Sequence, residues 1–356
     1  MSSEPASPSS IYSSEEEITR TMGDVIKDYD TEQLIDYLDR NNLKLDKDDF
    51  AILRKQKIDG LSFLELTEEK FREIGFALGP TIKLTKFVEG LNETKLQAFS
   101  SYKKVEQLKE LLKKYKVNGE KIENIKQFCP VFEEVEDDNE SLNQCISEIV
   151  LRLTNIKSMT DANEATRCEF ISSILHASIA IVRGLTNKEI NIELQSDISG
   201  EEASGRVDYA ISGVEDLLCI TEGKPRNIKI GYLQNIKQLE SSFHMNKKKR
   251  TADEAFNDKD YDYLYGIVST GTDWHFIMFT SEGILCTSKS EYQINLTKSA
   301  IKKNRDLLKE NVKQIISIIV GLLKDRLIAC DEPDNKKRRV QEIIGNNWEI
   351  IGKNNK

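Results

Sequence analysis

Asp208, Glu222 and Lys224 are the residues of this 356-residue chain whose types and spacing are best suited to chemistry. Glu222 and Lys224 are separated by one residue in an apolar run, so on a strand their side chains point to the same face. Asp208 lies in a preceding run of alternating polarity. If the two runs pair as neighbouring strands, two carboxylates and an amine converge. Such a cluster lowers the stability of the folded protein, because like charges repel and a desolvated lysine loses hydration. A cluster of this kind therefore indicates a functional site.

A divalent cation would remove that cost. The carboxylates of Asp208 and Glu222 and the carbonyl of Gly223 are hard oxygen ligands of the kind that Mg²⁺ prefers. Lys224 could then orient or deprotonate a water that attacks a phosphodiester held on the same ion. The alternative is structural: Asp208 would be a turn residue at a strand end, and Glu222 and Lys224 would form a surface ion pair.

The elements that must position these residues follow from the periodicity of apolar residues. Asp161 and Asn163 are candidate caps for the first helix, and a turn at Ser212 to Asp216 joins the first two strands into a hairpin. Apolar runs of period two predict strands, and runs of period 3.6 predict helices. In chain order the predicted elements are a helix over 163–176, strands over 206–211 and 217–224, a helix over 232–243 and strands over 263–269, 274–279 and 284–287.

This order of elements, with an aspartate and a Glu-x-Lys on adjacent strands, resembles the PD-(D/E)xK nuclease superfamily, which has the restriction-endonuclease-like fold. In that superfamily a further glutamate comes from the preceding helix, and Glu169 fits this position. The resemblance therefore implies that Asp208, Glu222 and Glu169 hold Mg²⁺ and that Lys224 assists the attacking water. Val207 stands where the name of the motif has proline.

The resemblance extends from about Leu142 to Leu327 and implies an α/β domain with a mixed central sheet flanked by helices. A helix that carries glutamines recurs after the Glu-x-Lys strand of this superfamily, where it faces the substrate backbone. Gln234 and Gln238 occupy such a helix, which implies that they position the substrate. Nucleic acid is the substrate or ligand that the resemblance implies.

A second unit covers residues 31–93. The run from Ile58 to Glu69, followed by Ile74-Gly75-Phe76, resembles the sterile alpha motif (SAM) domain. The resemblance implies an all-α bundle of short helices, which we expect to be broken at Gly60, Gly75 and Gly79. It also implies a protein partner or self-association, in which an acidic middle region of one copy meets the basic last helix of another. The charged residues of these two surfaces are Asp46, Asp48, Asp49 and Asp59, and Lys83 and Lys86.

The rest of the chain divides around these units. We expect a disordered tail and a short helix over 1–30, the helix with a capping box at Ser14 to Glu17, because the first residues are rich in Ser and Pro. A helical and acidic linker covers 94–140, with residues 128–140 on the surface. The nuclease-like domain covers 141–329, and a basic disordered tail covers 330–356. Two lysine and arginine clusters, 247–250 and 336–339, could bind phosphates and act as a nuclear import signal, respectively, or be ordinary solvated surface.

Composition narrows the class of protein. A net charge of −9 argues against binding to nucleic acid through overall charge, so such binding needs local basic surface or a metal. The six cysteines show no paired spacing, and the three histidines complete no zinc motif, which favours reduced thiols and an intracellular protein, cytoplasmic or nuclear. The sequence shows no signal peptide and no run long enough to cross a bilayer, so we expect no membrane contact.

The sequence therefore favours a metal-dependent phosphodiesterase that acts on or binds nucleic acid, coupled to a SAM-like interaction module. The alternative is a non-enzymatic scaffold or signalling protein in which the nuclease-like fold is inactive, since a fold does not by itself establish chemistry.

Overall fold

The structure is a computed structural model that describes residues 20–41, 43–213, 216–224, 227–248, 262–288, 292–331 and 338. Several sequence predictions lie outside these residues. They are most of the two tails expected to be disordered, the capping box at Ser14 to Glu17, residues 249 and 250 of the first basic cluster, and most of the second basic cluster.

The N-terminal unit is a bundle of short helices that begin where the sequence supplies a capping side chain. Thr21, Asp30, Asp46, Asp59 and Thr67 each accept a hydrogen bond from a backbone N–H of the first turn that follows. The helices are α1 (Met22–Ile26), α2 (Thr31–Arg40), α3 (Lys47–Gln56), α4 (Gly60–Leu64), α5 (Glu68–Glu73) and α6 (Leu78–Glu93).

Of the three glycines that we expected to break helices, Gly60 and Gly75 lie at breaks and Gly79 does not. Gly60 is the first residue of α4, and a Cβ atom there would fall 1.7 Å from the backbone oxygen of Ile26, so glycine lets α4 approach α1 closely. Gly79 lies in the first turn of α6, where Pro80 is also tolerated because first-turn N–H groups have no intrahelical acceptor. Gly75, with φ of +110°, separates α5 from α6 as predicted.

The bundle is held by an apolar core that includes α1. Met22, Val25 and Ile26 of α1 lie in this core. Phe63 and Phe71 lie in it too, and their rings contact each other and other aromatic rings. Burial of these side chains, rather than the intrinsic stability of helices this short, therefore holds the unit together.

Residues 94–96 stay with the helical unit, since Leu96 lies in its core, and residues 97–140 pack as part of the unit that follows. They form β1 (Gln97–Ala98), α7 (Val105–Lys114) and β2 (Lys126–Gln127), with 3-10 turns at Phe99–Ser101 and Ile122–Asn124. The expectation of a surface linker over 128–140 is wrong in part, because Phe128 and Val135 are buried in the core of the α/β unit.

The C-terminal unit is a mixed β-sheet with helices on both faces, which confirms the predicted fold class at this level. One apolar core lies between the sheet and α8, α9 and α12, and a second lies between the sheet and α7 and α10. The elements are α8 (Glu140–Asn155), α9 (Glu164–Thr186), β3 (Asn191–Ser199), β4 (Ala203–Ser212), β5 (Leu217–Gly223), α10 (Ile228–Lys248), β6 (Tyr263–Ser269), β7 (Asp273–Thr280), β8 (Gly283–Cys286), β9 (Tyr292–Gln293), α11 (Lys298–Lys303) and α12 (Arg305–Asp331).

The order of strands in the sheet is β1-β4-β5-β6-β7-β8-β2, with β3 also on β4 and β9 on β7. The chain β3, β4, β5 runs antiparallel, and β5 then pairs in parallel with β6 because α10 carries the chain across the sheet. Strand β3 was missed by the sequence reasoning. Its residues are largely exposed, although Ile192, Leu194 and Ile198 alternate with polar residues in the sequence.

The turn between β3 and β4 contacts the helical unit. Glu201 in this turn accepts two hydrogen bonds from the guanidinium of Arg40, at 2.9 and 3.2 Å, and one from the Tyr29 hydroxyl at 3.3 Å. Arg20 also donates to the hydroxyl of Ser199. These polar contacts join the two units, and the backbone bond from Leu96 N to Arg20 O holds the segment that leads from one unit to the other.

Among the described residues, α9 is a helix long and apolar enough to cross a membrane by length and composition alone. In the structure 56% of its apolar window is buried, and it packs against α8, α12 and β5. Its apolar composition is accounted for by this position in the core.

Candidate active site

The predicted acids meet where β4 and β5 diverge. The pairing of these strands ends at Tyr209 and Thr221, one residue before Asp208 on β4 and Glu222 on β5 would face each other. There a carboxylate oxygen replaces a backbone carbonyl as the hydrogen-bond acceptor: Asp208 Oδ2 accepts the N–H of Gly223 at 2.7 Å. Asp208 is therefore fixed at the end of the hairpin by the strand beside it.

Glycine at position 223 permits this arrangement. A Cβ atom there would lie 2.9 Å from Cys168 Sγ on α9 and 3.3 Å from Asp208 Oδ2. Any other residue at this position would push α9 or the carboxylate away. The close approach of α9 also brings the first turn of that helix to the end of β5.

Glu222 and Lys224 point to the same side, as the strand periodicity predicts, and form a short ion pair. Lys224 Nζ lies 2.6 Å from Glu222 Oε1 and 3.5 Å from Glu164 Oε1, the latter on the first residue of α9. The second oxygen of Glu222 accepts a hydrogen bond of 2.6 Å from the Gln238 amide. Two strands and two helices thus contribute to one polar cluster, made of Asp208, Glu222, Lys224, Glu164 and Gln238, which we call the acidic cluster.

The electrostatics of the acidic cluster are dominated by Glu222. Its burial, together with the negative charge of Asp208, raises the pKa of the Glu222 carboxyl from 4.5 to about 7, although Lys224 and Gln238 act to lower it. Burial also raises the pKa of Glu164, partly offset by Lys224. An additional positive charge at this place would therefore be stabilising.

Lys224 is held in its charged form. Burial acts to lower its pKa, but the opposing charges of Glu222, Glu164 and Asp208 outweigh burial, so the pKa of Lys224 is raised. Of the two chemical roles that the sequence left open, orientation of a water by an ammonium group fits this finding. Deprotonation of a water by a neutral amine does not.

Glu169, the predicted helix acid, does not join the acidic cluster. Its carboxylate is 64% exposed and lies 3.7 Å from Arg152 Nε. Glu164 and Glu169 are five positions apart and so point roughly 140° away from each other around the helix. Glu164 directly follows the capping residue Asn163, and this acid at the start of α9 was the signal that the sequence reasoning passed over.

The two predicted glutamines are separated by the structure as well. Gln238 contacts Glu222, whereas the Gln234 amide donates to the backbone oxygen of Phe99 at 3.2 Å, away from the acidic cluster. Both side chains are buried, 6% exposed for Gln234 and 1% for Gln238. In this arrangement neither presents an amide to a substrate backbone, and Gln238 positions a carboxylate instead.

Asn235 and Gln195 are polar contacts of the acidic cluster that the sequence reasoning missed. The Asn235 amide donates to Ile220 O at 3.1 Å and to Gln238 Oε1 at 3.4 Å, which turns the Gln238 NH₂ toward Glu222. Gln195 on β3 donates to Asp208 Oδ1 at 3.1 Å. No motif marks either residue in the sequence.

The chemistry of the donor set fits a divalent cation of the Mg²⁺ type. Asp208 and Glu222 offer carboxylate oxygens with lone pairs beyond those used in the hydrogen bonds above, and the buried charge of Glu222 favours a cation nearby. Within the part of the chain that the structure describes, however, no three His, Cys, Asp or Glu side chains are grouped so as to hold a metal by themselves. Asp208 and Glu222 are thus the residues that would hold an ion, with Glu164 at the exposed side.

Comparison with known protein families finds a match for the N-terminal part of the chain. Residues 1–90 match the family model described as a SAM-like domain, which confirms the predicted SAM-like unit. A comparison with curated proteins found no match to this chain. The acidic cluster lies in the α/β unit, beyond the matched residues.

Proposed function

We propose that the α/β unit is a Mg²⁺-dependent phosphodiesterase of the PD-(D/E)xK type that acts on nucleic acid. The observation that carries this proposal is the meeting of Asp208, Glu222 and Lys224 with a helix acid at the diverging ends of β4 and β5. The order of α9, β3, β4, β5, α10 and β6 supports it, because it matches the order of elements that the resemblance implies.

In this proposal the chain itself holds the ion and orients the reactants. Asp208 and Glu222 hold the ion, and their orientations are preset by Gly223 N–H and the Gln238 amide. Lys224 keeps its proton and orients the attacking water and the negative phosphate as a hydrogen-bond donor. When bound, Mg²⁺ supplies the positive charge that polarises the phosphodiester and favours ionisation of water.

The helix acid distinguishes this proposal from the one made from sequence. Glu164 is 3.5 Å from Lys224 and takes the place that the resemblance gives to a helix glutamate, whereas Glu169 faces Arg152. The two residues lie on the same helix and have the same chemistry, so Glu169 provides a matched control for Glu164.

The test is degradation of single- and double-stranded DNA and RNA by the purified full chain with Mg²⁺ or Mn²⁺. Asp208→Asn and Lys224→Met should each lower the rate on the order of 100-fold or more. Glu164→Gln should lower it about 10- to 100-fold, and Glu169→Gln should leave it within about twofold. Equal losses in the last two variants would contradict the placement of the helix acid.

A non-enzymatic scaffold is the second candidate. It is favoured by the absence, among the described residues, of three acids grouped for a metal, and by the direct contact of Glu222 with Lys224. A full chain that binds nucleic acid or protein, binds no Mg²⁺ and cleaves no substrate would establish this alternative.

For the N-terminal unit we propose a role as a protein-interaction module, including self-association, as its SAM-like match suggests. Of the acidic residues expected on this surface, Asp49 is buried, whereas Asp46 and Asp59 cap helices and stay exposed. Light scattering over a concentration series tests the proposal. A monomer at all concentrations, together with no protein captured by the isolated chain, would contradict it.

A further inference from the structure

Gln195 on β3 has a left-handed backbone and lies where the pairing of β3 with β4 is interrupted. Its φ is +52°, and of the described non-glycine residues with such a left-handed backbone it is the one that lies inside a strand. Side chains other than glycine adopt this conformation at a cost in free energy. Strained residues of this kind concentrate at functional sites, where the surrounding structure holds them in place.

The irregularity falls opposite the candidate metal ligand. The paired residues of β3 and β4 include Leu194 with Tyr209 and Ser196 with Val207, and the pair between them, Gln195 with Asp208, is missing from the ladder. Pairing of β4 with β5 also stops at Tyr209. Asp208 is therefore the position at which regular pairing is interrupted on both sides of β4.

Side-chain bonds replace the missing backbone pairing. Gln195 Nε2 donates to Asp208 Oδ1 at 3.1 Å, and Gly223 N donates to Asp208 Oδ2 at 2.7 Å. Each carboxylate oxygen thus has one donor, from the strand on either side, and keeps acceptor capacity for a cation. Two donors at opposite oxygens fix the plane of the carboxylate, which a single donor does not.

We propose that Gln195 is a positioning residue that holds Asp208 in the orientation needed to bind the divalent cation. This inference rests on the proposed function of the acidic cluster. Gln195 acts through Asp208 and contacts neither the ion nor the substrate. The strained backbone at Gln195 is retained because it belongs to the contact with Asp208.

The test compares Gln195→Gly with Leu194→Ala in the full chain. Glycine removes both the strain and the amide, so the melting temperature should rise by about 2 to 4 °C while the affinity for Mg²⁺, measured by calorimetry without nucleic acid, falls about 10-fold or more. Leu194 is an exposed neighbour on the same strand, 57% exposed. Leu194→Ala should leave the affinity within about twofold.

The outcomes separate the two proposals. A wild-type chain that binds no Mg²⁺ overturns the proposed function, and the role of Gln195 falls with it. A wild-type chain that binds Mg²⁺ and a Gln195→Gly variant that binds it equally well overturn the role of Gln195 alone. A variant that loses both stability and affinity also overturns it, because general damage to β3 would then explain the loss.

Discussion

The two units of the chain use charged side chains in opposite ways. In the SAM-like unit Asp30, Asp46 and Asp59 accept hydrogen bonds from backbone N–H groups only two or three residues further along. In the α/β unit charges meet across elements that are distant in sequence and are largely buried, as in the contacts of Lys224 with Glu164 and of Arg326 with Asp216 and Asp262.

This difference shows what each kind of contact can do. A local cap starts a helix and is worth little beyond that helix, because water screens it and competes for it. A buried polar cluster is costly to assemble and much more costly to leave incomplete. The α/β unit also contains a second, half-buried cluster, in which Lys114 and Lys237 bridge Glu202 and Glu240 between α7, α10 and the β3–β4 turn.

The largest effect is expected for Arg326→Met. Arg326 is 0% exposed, its Nη2 lies 3.1 Å from both Asp216 and Asp262, and its Nε donates to Tyr263 O. Loss of the guanidinium removes the buried positive charge that faces Asp216 and Asp262 and the donor to Tyr263 O, which should lower the free energy of unfolding by about 3 to 5 kcal/mol. Hydrogen exchange of the amides in β6 and α12 measures this loss.

The control lies in the other unit. Arg54 makes a two-pronged ion pair with Glu32, each contact at 2.8 Å, but the two side chains are 49% and 36% exposed. Arg54→Met should change the free energy of opening that hydrogen exchange measures in α2 and α3 by no more than about 1 kcal/mol. Losses of the same size in the two variants would contradict the contrast between the units.

A smaller effect, and one that depends on pH, is expected for Glu222→Gln. The folded-state pKa of Glu222 is raised from 4.5 to about 7, so this carboxyl favours the folded state below pH 4.5 and loses that contribution as the pH rises through about 7. The glutamine variant does not titrate there. Its stability relative to the wild type should therefore increase with pH over this window, by at most about 2 to 3 kcal/mol.

Urea unfolding between pH 4 and pH 8, followed by the fluorescence of buried Trp274 in a Trp348→Phe background, measures this difference. Mg²⁺ in the proposed site would compete with the proton on Glu222, so its affinity should rise over the same pH range. Parallel stability curves for the variant and the wild type would show that the pKa of Glu222 is not raised in the folded state.

The smallest effect is expected for Asp59→Ala. Asp59 accepts the N–H of Ser62 at 2.8 Å, and the hydroxyl and backbone of Ser62 lower its pKa. Loss of this cap should cost about 1 kcal/mol in the exchange of α4. Because the pKa is lowered, the contribution of the cap is present above the unfolded pKa and disappears as the pH falls through the folded value. Asp59→Asn should retain the cap and lose this pH dependence.

Much of the architecture could be predicted from sequence because it rests on local patterns. The run from Ile58 to Glu69 and the glycine at 75 predicted the SAM-like bundle, and period-two runs predicted the hairpin that carries Asp208 and Glu222. Strand β3 was missed although Ile192, Leu194 and Ile198 alternate with polar residues; most of the run is polar and exposed, so the signal is weak. Residues 128–140 were taken as surface because their acidic composition hid the burial of Phe128 and Val135.

The candidate site was predictable only in part, because local spacing predicts which side chains share a face but not how distant elements pack. Spacing along one strand placed Glu222 with Lys224, and this pair is observed. The choice of Glu169 over Glu164 failed because both are acids on one helix, and only the rotation and depth of that helix against the sheet decide which one reaches Lys224. Gln234 and Gln238 were treated alike, but the packing of α10 directs one to Phe99 O and the other to Glu222.

The sequence by itself indicated the order of most helices and strands, that the first unit is SAM-like, and that two acids and a lysine share a hairpin. These properties depend on caps, glycines and periodicity, which act over a few residues. Only the tertiary structure decided that Glu164 joins the acidic cluster and Gln195 contacts it, that Glu169 and Gln234 do not join it, and that Glu222 is buried with its pKa raised. Those properties arise from desolvation and contact between elements far apart in the chain, and a linear pattern carries no record of either.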